Sequence, residues 1–113
     1  MYCRTQLVKL AKAHDEFRRH GATLVAISVD PKEDSIDLAR ELGIHFPLLT
    51  DPQLDIANAY GVVQEGRDLA VPAVFVIDSR QQIRWRAVAW HLANRPSTAD
   101  ITAAVDDARR SAR

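Results

Sequence analysis

The sequence predicts a layered α/β fold, with helices on both faces of a mixed, mostly parallel sheet. Three observations predict it. Helical and extended segments alternate along the chain. Two extended runs, residues 23–29 and 73–78, are apolar with almost no polar alternation, as in strands covered on both faces. A turn at residues 79–82 then leads into a segment that does alternate, the pattern of an antiparallel partner with one wetter face.

The elements follow in order. Residues 5–20 form a helix, with Leu7, Leu10, Ala11, His14 and Phe17 on one stripe and Lys9, Lys12, Glu16 and Arg19 off it. Arg18, Arg19 and His20 suit the negative end of its dipole, and Gly21 stops it. After the strand at 23–29, Asp30 is placed to cap a second helix by accepting from the backbone N–H of Glu33. Pro31 lies in its first turn, and the Glu33 side chain reaches back. This helix buries Ile36, Ala39 and Leu42 and ends at Gly43. Residues 44–49 are extended, with Pro47 limiting them to a short or edge strand. Asp51 and Pro52 repeat the capping chemistry and open a short helix through Ile56, Ala57 and Tyr60, closed by Gly61. Residues 62–71 read as a polar loop around Gly66. Pro72 precedes the second buried strand. In residues 83–90, Ile83, Trp85 and Ala87 face one way, and Arg84 and Arg86 the other. Ser97 or Thr98 caps a last helix that buries Ile101, Ala104, Val105 and Ala108.

Composition bounds the function. The chain has 113 residues, 15 basic and 15 acidic side chains, and 47% hydrophobic residues, which fits one domain (1–113) with its own core. A formal net charge of +0 argues against nucleic-acid or membrane-surface partners, which call for a basic excess. No apolar run approaches the roughly 18 residues of a membrane span. The start, from Met1 to Gln6, is polar where a secretory signal would be apolar. One cysteine makes no internal disulfide, and His14, His20, His45 and His91 lack ligand spacing. The expectation is a reducing, cytoplasmic setting with no metal or cofactor. Trp85 and Trp90 are expected to pack on the last helix, Arg84 and Arg86 to form a solvated face, and Asp106 and Asp107 to point apart on a helix surface.

The chemistry centres on Cys3, at or just before the start of the first helix. Unpaired N–H groups and the positive dipole end stabilise a thiolate there, and Arg4 and the α-amino group add charge. Thiols so placed have pKa values of about 3.5–7.5 instead of about 8.5. A thiolate of this kind is the nucleophile for disulfide exchange or peroxide reduction. The alternative is a lone near-terminal cysteine without a role.

Five segments, taken together in order and spacing, carry a resemblance: residues 2–7 around Cys3, 24–31, 46–52, 59–62 and 71–78. The chain resembles the alkyl hydroperoxide reductase and thiol-specific antioxidant family, the peroxiredoxin branch of the thioredoxin-like superfamily. The resemblance implies a three-layer α/β/α thioredoxin-like domain. It implies that Cys3 is the peroxidatic cysteine, which attacks a hydroperoxide and becomes a sulfenic acid. An external thiol, such as a thioredoxin, then restores it. By the same resemblance, Pro72 matches the proline, usually cis, that faces the active cysteine in thioredoxin-like proteins; otherwise it simply opens a strand.

Two departures stand out. The family carries an arginine where this chain has Pro72, leaving Arg4 or Arg67 to substitute. The family's core strand, which leads into the cysteine, has no counterpart in these residues and would lie between the strands at 23–29 and 73–78. Without it both strands present unpaired backbone groups and bare apolar faces. Three outcomes follow: a longer parent chain, completion by another chain through strand exchange or a homodimer, or direct pairing of the two strands. Two other functional readings stand beside the peroxidase: a thioredoxin-like disulfide reductase lacking its first cysteine, and a non-catalytic redoxin remnant acting as an interaction module.

Overall fold

The computed structural model describes residues 4–64, 66, 69–89 and 97–111. In chain order these form α1 (Arg4–Arg19), β1 (Ala26–Ser28), α2 (Lys32–Leu42), β2 (Leu48–Thr50), α3 (Asp55–Ala59), β3 (Val63–Gln64), β4 (Leu69–Ala70), β5 (Ala73–Ile77), β6 (Ile83–Val88) and α4 (Thr98–Ser111). The predicted alternation of helix and strand is present throughout.

Helix α1 buries Leu7 and Phe17 as its stripe predicts, and also Ala13. The stripe is wider than the sequence suggests because α1 is clasped from two sides. Leu7 packs with Ile44 and Phe46, whereas Ala13 and Phe17 pack with α4. His14 is half-buried, its ring edge-on to Phe46 with centroids 5.4 Å apart. Gly21, at φ 84°, turns the chain out of the helix, and the Ala22 N–H closes the end by donating to the Phe17 carbonyl at 2.9 Å.

Asp30 does not cap α2. Pro31 occupies the N-cap position without a side-chain bond. The Asp30 backbone N–H instead donates to Ser28 Oγ at 3.1 Å, and Thr50 Oγ1 donates to the Asp30 carbonyl at 2.6 Å. Asp30 therefore ties the end of β1 to the end of β2. Within α2, Ser35 is buried and Leu38, Ala39 and Leu42 pack on the core, while Ile36 is 43% exposed. Positions 35, 38, 39 and 42 make the i, i+3, i+4, i+7 stripe, which leaves Ile36 one step to its side. Gly43 ends α2 in the left-handed conformation, at φ 65°.

Asp51 caps α3 from further away than its spacing suggests. The helix starts at Asp55, after Leu54 in a left-handed conformation at φ 61°. The buried Asp51 carboxylate accepts the Ile56 N–H at 3.2 Å and the Ala57 N–H at 2.9 Å. Asp51→Ala leaves both donors without that acceptor, so a loss of about 1–3 kcal/mol is expected in urea denaturation. Asp51→Asn keeps one acceptor oxygen and should recover part of it.

The expected polar loop at 62–71 contains a short antiparallel pair, with Val63 opposite Ala70 and Gln64 opposite Leu69. Helix α4 starts with a reciprocal cap. Ser97 Oγ accepts the Asp100 N–H at 3.1 Å, and Asp100 Oδ2 accepts the Ser97 N–H at 3.2 Å. His20 is not a bystander, since its Nδ1 lies 2.6 Å from Asp106 Oδ1 and links α1 to α4. Asp106 and Asp107 do point apart, Asp107 meeting Arg110. Trp85 packs on the α4 cluster as expected, and Trp90 lies outside the described residues. Arg84 is not merely solvated: its Nε stands 3.6 Å from Asp78 Oδ2.

The sheet departs from a single mixed layer. Strand β1 pairs in parallel with β2 alone, and β5 pairs antiparallel with β6 alone, so three two-stranded ladders are present among the described residues. Direct pairing of the two central strands, one of the three outcomes, is absent among the described residues; beside β5 lies a groove whose other wall is Thr23 and Leu24, just ahead of β1. The bare faces are there: Val25, Ile27, Leu49 and Ile77 are 43–48% exposed. Alternation fixes which backbone groups are left over. Pro72 accepts from Ala89, so residues 72, 74 and 76 point to β6, and Ala73, Phe75 and Ile77 point to the open edge.

Candidate functional site at the start of the first helix

The site is built on the N-terminus of α1. Arg4 is its first residue, and its first turn holds no acidic side chain. The positive end of the dipole is therefore not neutralised from within the helix. Arg18 and Arg19, at the far end, complement the negative pole. Cys3 immediately precedes the helix in sequence; it and Arg67 lie outside the described residues.

Beside the first two turns of α1 is a cavity of about 190 Å³. Gln6, Lys9 and Leu10 form one wall, and Ser97, Thr98 and Ile101 from the start of α4 form the other. Gln6 follows Cys3 by three residues in the sequence. Sequence reasoning missed this pairing, because nothing in the spacing joins residues 6–10 to 97–101. The only local signal is that Gln6, Lys9 and Leu10 share a helix face.

Pro72 stands just ahead of β5, exposed, with its carbonyl accepting the Ala89 N–H at 2.8 Å. The cis bond implied by the resemblance is absent: the described residues hold no cis peptide bond. With a trans bond, Pro72 opens the strand at a position whose ladder bond to Ala89 uses only the carbonyl, so the missing N–H costs nothing there. Arg4 and Pro72 are thus placed on two separate elements, and the meeting of Cys3 with either lies outside the described residues.

Among the described residues, no three His, Cys, Asp or Glu side chains gather into a group that could hold a metal ion, and no helix is long and apolar enough to cross a membrane.

Residues 1–86 match the model of the AhpC/TSA family. The chain belongs to this family. Peroxiredoxin 1 of Picrophilus torridus is 33% identical over 89 residues, which cover 73% of this chain and 39% of that protein. A peroxiredoxin of Aeropyrum pernix is also 33% identical over 89 residues, covering 73% and 36%. The chain spans 36–47% of the length of such curated relatives. Among solved structures, Enterococcus faecalis AhpC superposes with a TM-score of 0.87 at 18% identity, covering 99% of this chain and 69% of that one. Mycobacterium tuberculosis AhpC gives 0.82 at 20% identity, covering 98% and 64%. The fold is therefore thioredoxin-like, of the peroxiredoxin type, as the sequence predicts. Among the described residues its strands pair as three two-stranded ladders, with β1 joined only to β2 and β5 only to β6.

Proposed function

We propose that this AhpC/TSA-family chain is a thiol peroxidase, with Cys3 as its nucleophile. One observation carries the reading: the sole cysteine of a chain matched to this family over residues 1–86 directly precedes a helix whose first turn holds no acid. The helix N-terminus and the Arg4 charge favour the thiolate. The thiolate sulfur attacks one peroxide oxygen and the O–O bond breaks. The other oxygen leaves with the electron pair and takes a proton, giving an alcohol or water. The sulfur, oxidised by two electrons, becomes a sulfenic acid. An outside thiol condenses with it to a mixed disulfide and releases water. A second outside thiol displaces the Cys3 thiolate and leaves the reductant as its own disulfide. The partners are thus a hydroperoxide and an external thiol of the thioredoxin kind, in a reducing, cytoplasmic setting. In this reading Pro72 stands in the sequence position where the family carries an arginine.

The test is direct. The reduced protein is treated with one equivalent of hydrogen peroxide in the presence of a sulfenic-acid trap, then mapped by mass spectrometry. A trap adduct on Cys3 is expected; an unmodified thiol at stoichiometric peroxide overturns the reading. The open groove favours a second reading, the interaction module. It predicts that Cys3 alkylates at mildly acidic pH no faster than an ordinary thiol.

A further inference from the structure

We propose that Lys9, with the cavity it lines between α1 and α4, makes the site select an anionic thiol, one that carries a carboxylate, as the outside reductant. The inference rests on the peroxidase reading and names the class of its reductant. The cavity of about 190 Å³ has room for about six waters, or for a carboxylate on a chain of a few carbons. Its floor is apolar, from the half-buried Leu10 and from Ile101, which is 6% exposed. Gln6, Ser97 and Thr98 add an amide and two hydroxyls. Among the described residues that line it, Lys9 alone is charged. Lys9 is exposed and makes no ion pair among the described residues. Residues 4–14 hold Arg4, Lys9 and Lys12 and no acid. On α4, the Asp100 carboxylate is engaged at its own helix start, where it accepts the Ser97 N–H at 3.2 Å. An ammonium and polar donors above an apolar floor suit a small aliphatic acid, with charge for its oxygens and hydrocarbon for its chain.

The order of charges along the reaction points to the reductant and not to the peroxide. Lys9 stands five residues beyond Arg4, about 7.5 Å along the helix axis, and Cys3 is bonded to Arg4. That rise is close to the Debye length of about 8 Å in physiological salt, so the Lys9 charge is felt at the helix start. While Cys3 is a thiolate, its own charge offsets this field and repels an anionic peroxide. The sulfenic acid carries no charge, so the field is uncompensated when the reductant arrives. The reductant attacks as a thiolate. Its sulfur bonds to the Cys3 sulfur, the S–O bond breaks, and the departing hydroxide takes a proton and becomes water. A carboxylate on the same molecule, seated beside Lys9, is attracted at this step.

The experiment uses the full chain in two states. In one, Cys3 is oxidised with one equivalent of hydrogen peroxide. In the other, dipyridyl disulfide converts it to a neutral mixed disulfide. Each state is met by mercaptopropionate, mercaptoethanol or mercaptoethylamine, which are anionic, neutral and cationic. Mass spectrometry follows the first state, and release of pyridinethione the second. Rates are taken per thiolate and divided by those with free dipyridyl disulfide, which removes intrinsic differences among the thiols. A preference of about tenfold or more for mercaptopropionate over mercaptoethylamine is expected in both states, fading at high salt. Lys9→Gln should cut that preference about threefold or more, and Lys9→Arg should keep most of it. A wild-type ratio near one, or a preference that Lys9→Gln leaves unchanged, overturns the proposal. The two readings fail separately. If the pyridyl disulfide shows the Lys9-dependent preference but no sulfenic acid forms, selection of anionic thiols stands and the peroxidase reading falls. If sulfenic acid forms and reacts with all three thiols alike, the reverse holds.

Discussion

Replacing Cys3 with serine is expected to take peroxide consumption down to the uncatalysed background. The fall is about 10³-fold or more, the scale on which loss of a covalent nucleophile acts. The sequence holds 1 cysteine, so no second thiol can assume the role. A serine hydroxyl stays protonated at neutral pH, and its oxygen cannot be carried to a sulfenic acid and back. Arg4→Ala removes only a neighbouring charge at the helix start. It should slow the reaction by several-fold, since charges near helix ends contribute about 0.3–1 kcal/mol. The same variant should move the pH midpoint of iodoacetamide alkylation upward, because the thiolate loses a favourable charge. The two substitutions separate a reacting atom from a group that tunes it. A Cys3→Ser protein that folds and still consumes peroxide at the wild-type rate would end the peroxidase reading.

How much of this was legible in the sequence depends on how local each cause is. The reciprocal cap of Ser97 with Asp100, the left-handed stop at Gly43 and the Leu7–Phe17 stripe are set within a turn or two of helix. Spacing alone reveals them. Asp51 was legible in kind but not in reach, because its acceptors serve a helix that begins only after Leu54 has turned left-handed. Asp30 looked like the same motif and behaved differently. Ser28 Oγ, two residues back, donates to its carboxylate at 3.3 Å, and Thr50 on the neighbouring strand holds its backbone carbonyl, a contact that exists only once β1 and β2 have paired. Long-range partners left no trace. Nothing near His20 announces Asp106, and nothing near Gln6 announces Ser97. The Val71–Pro72 bond was a matter of resemblance, and the trans form prevails. The two bare strands were legible from physical reasoning about edges. What the sequence left open was whether they would close on each other. They do not: among the described residues β1 pairs only with β2 and β5 only with β6.

Phe17→Ala is accordingly expected to be the most damaging substitution for the fold, costing about 3–5 kcal/mol in urea denaturation followed by far-UV circular dichroism. Phe17 is 2% exposed and sits in one cluster with Ala13, Val76, Ile101, Ala104 and Val105. It joins α1 and α4 beneath β5, so no single element can move in to fill the space. A domain stable by about 5–15 kcal/mol would lose a large part of its margin. Ile77→Ala is the contrast: that side chain is 48% exposed and should cost under about 1 kcal/mol.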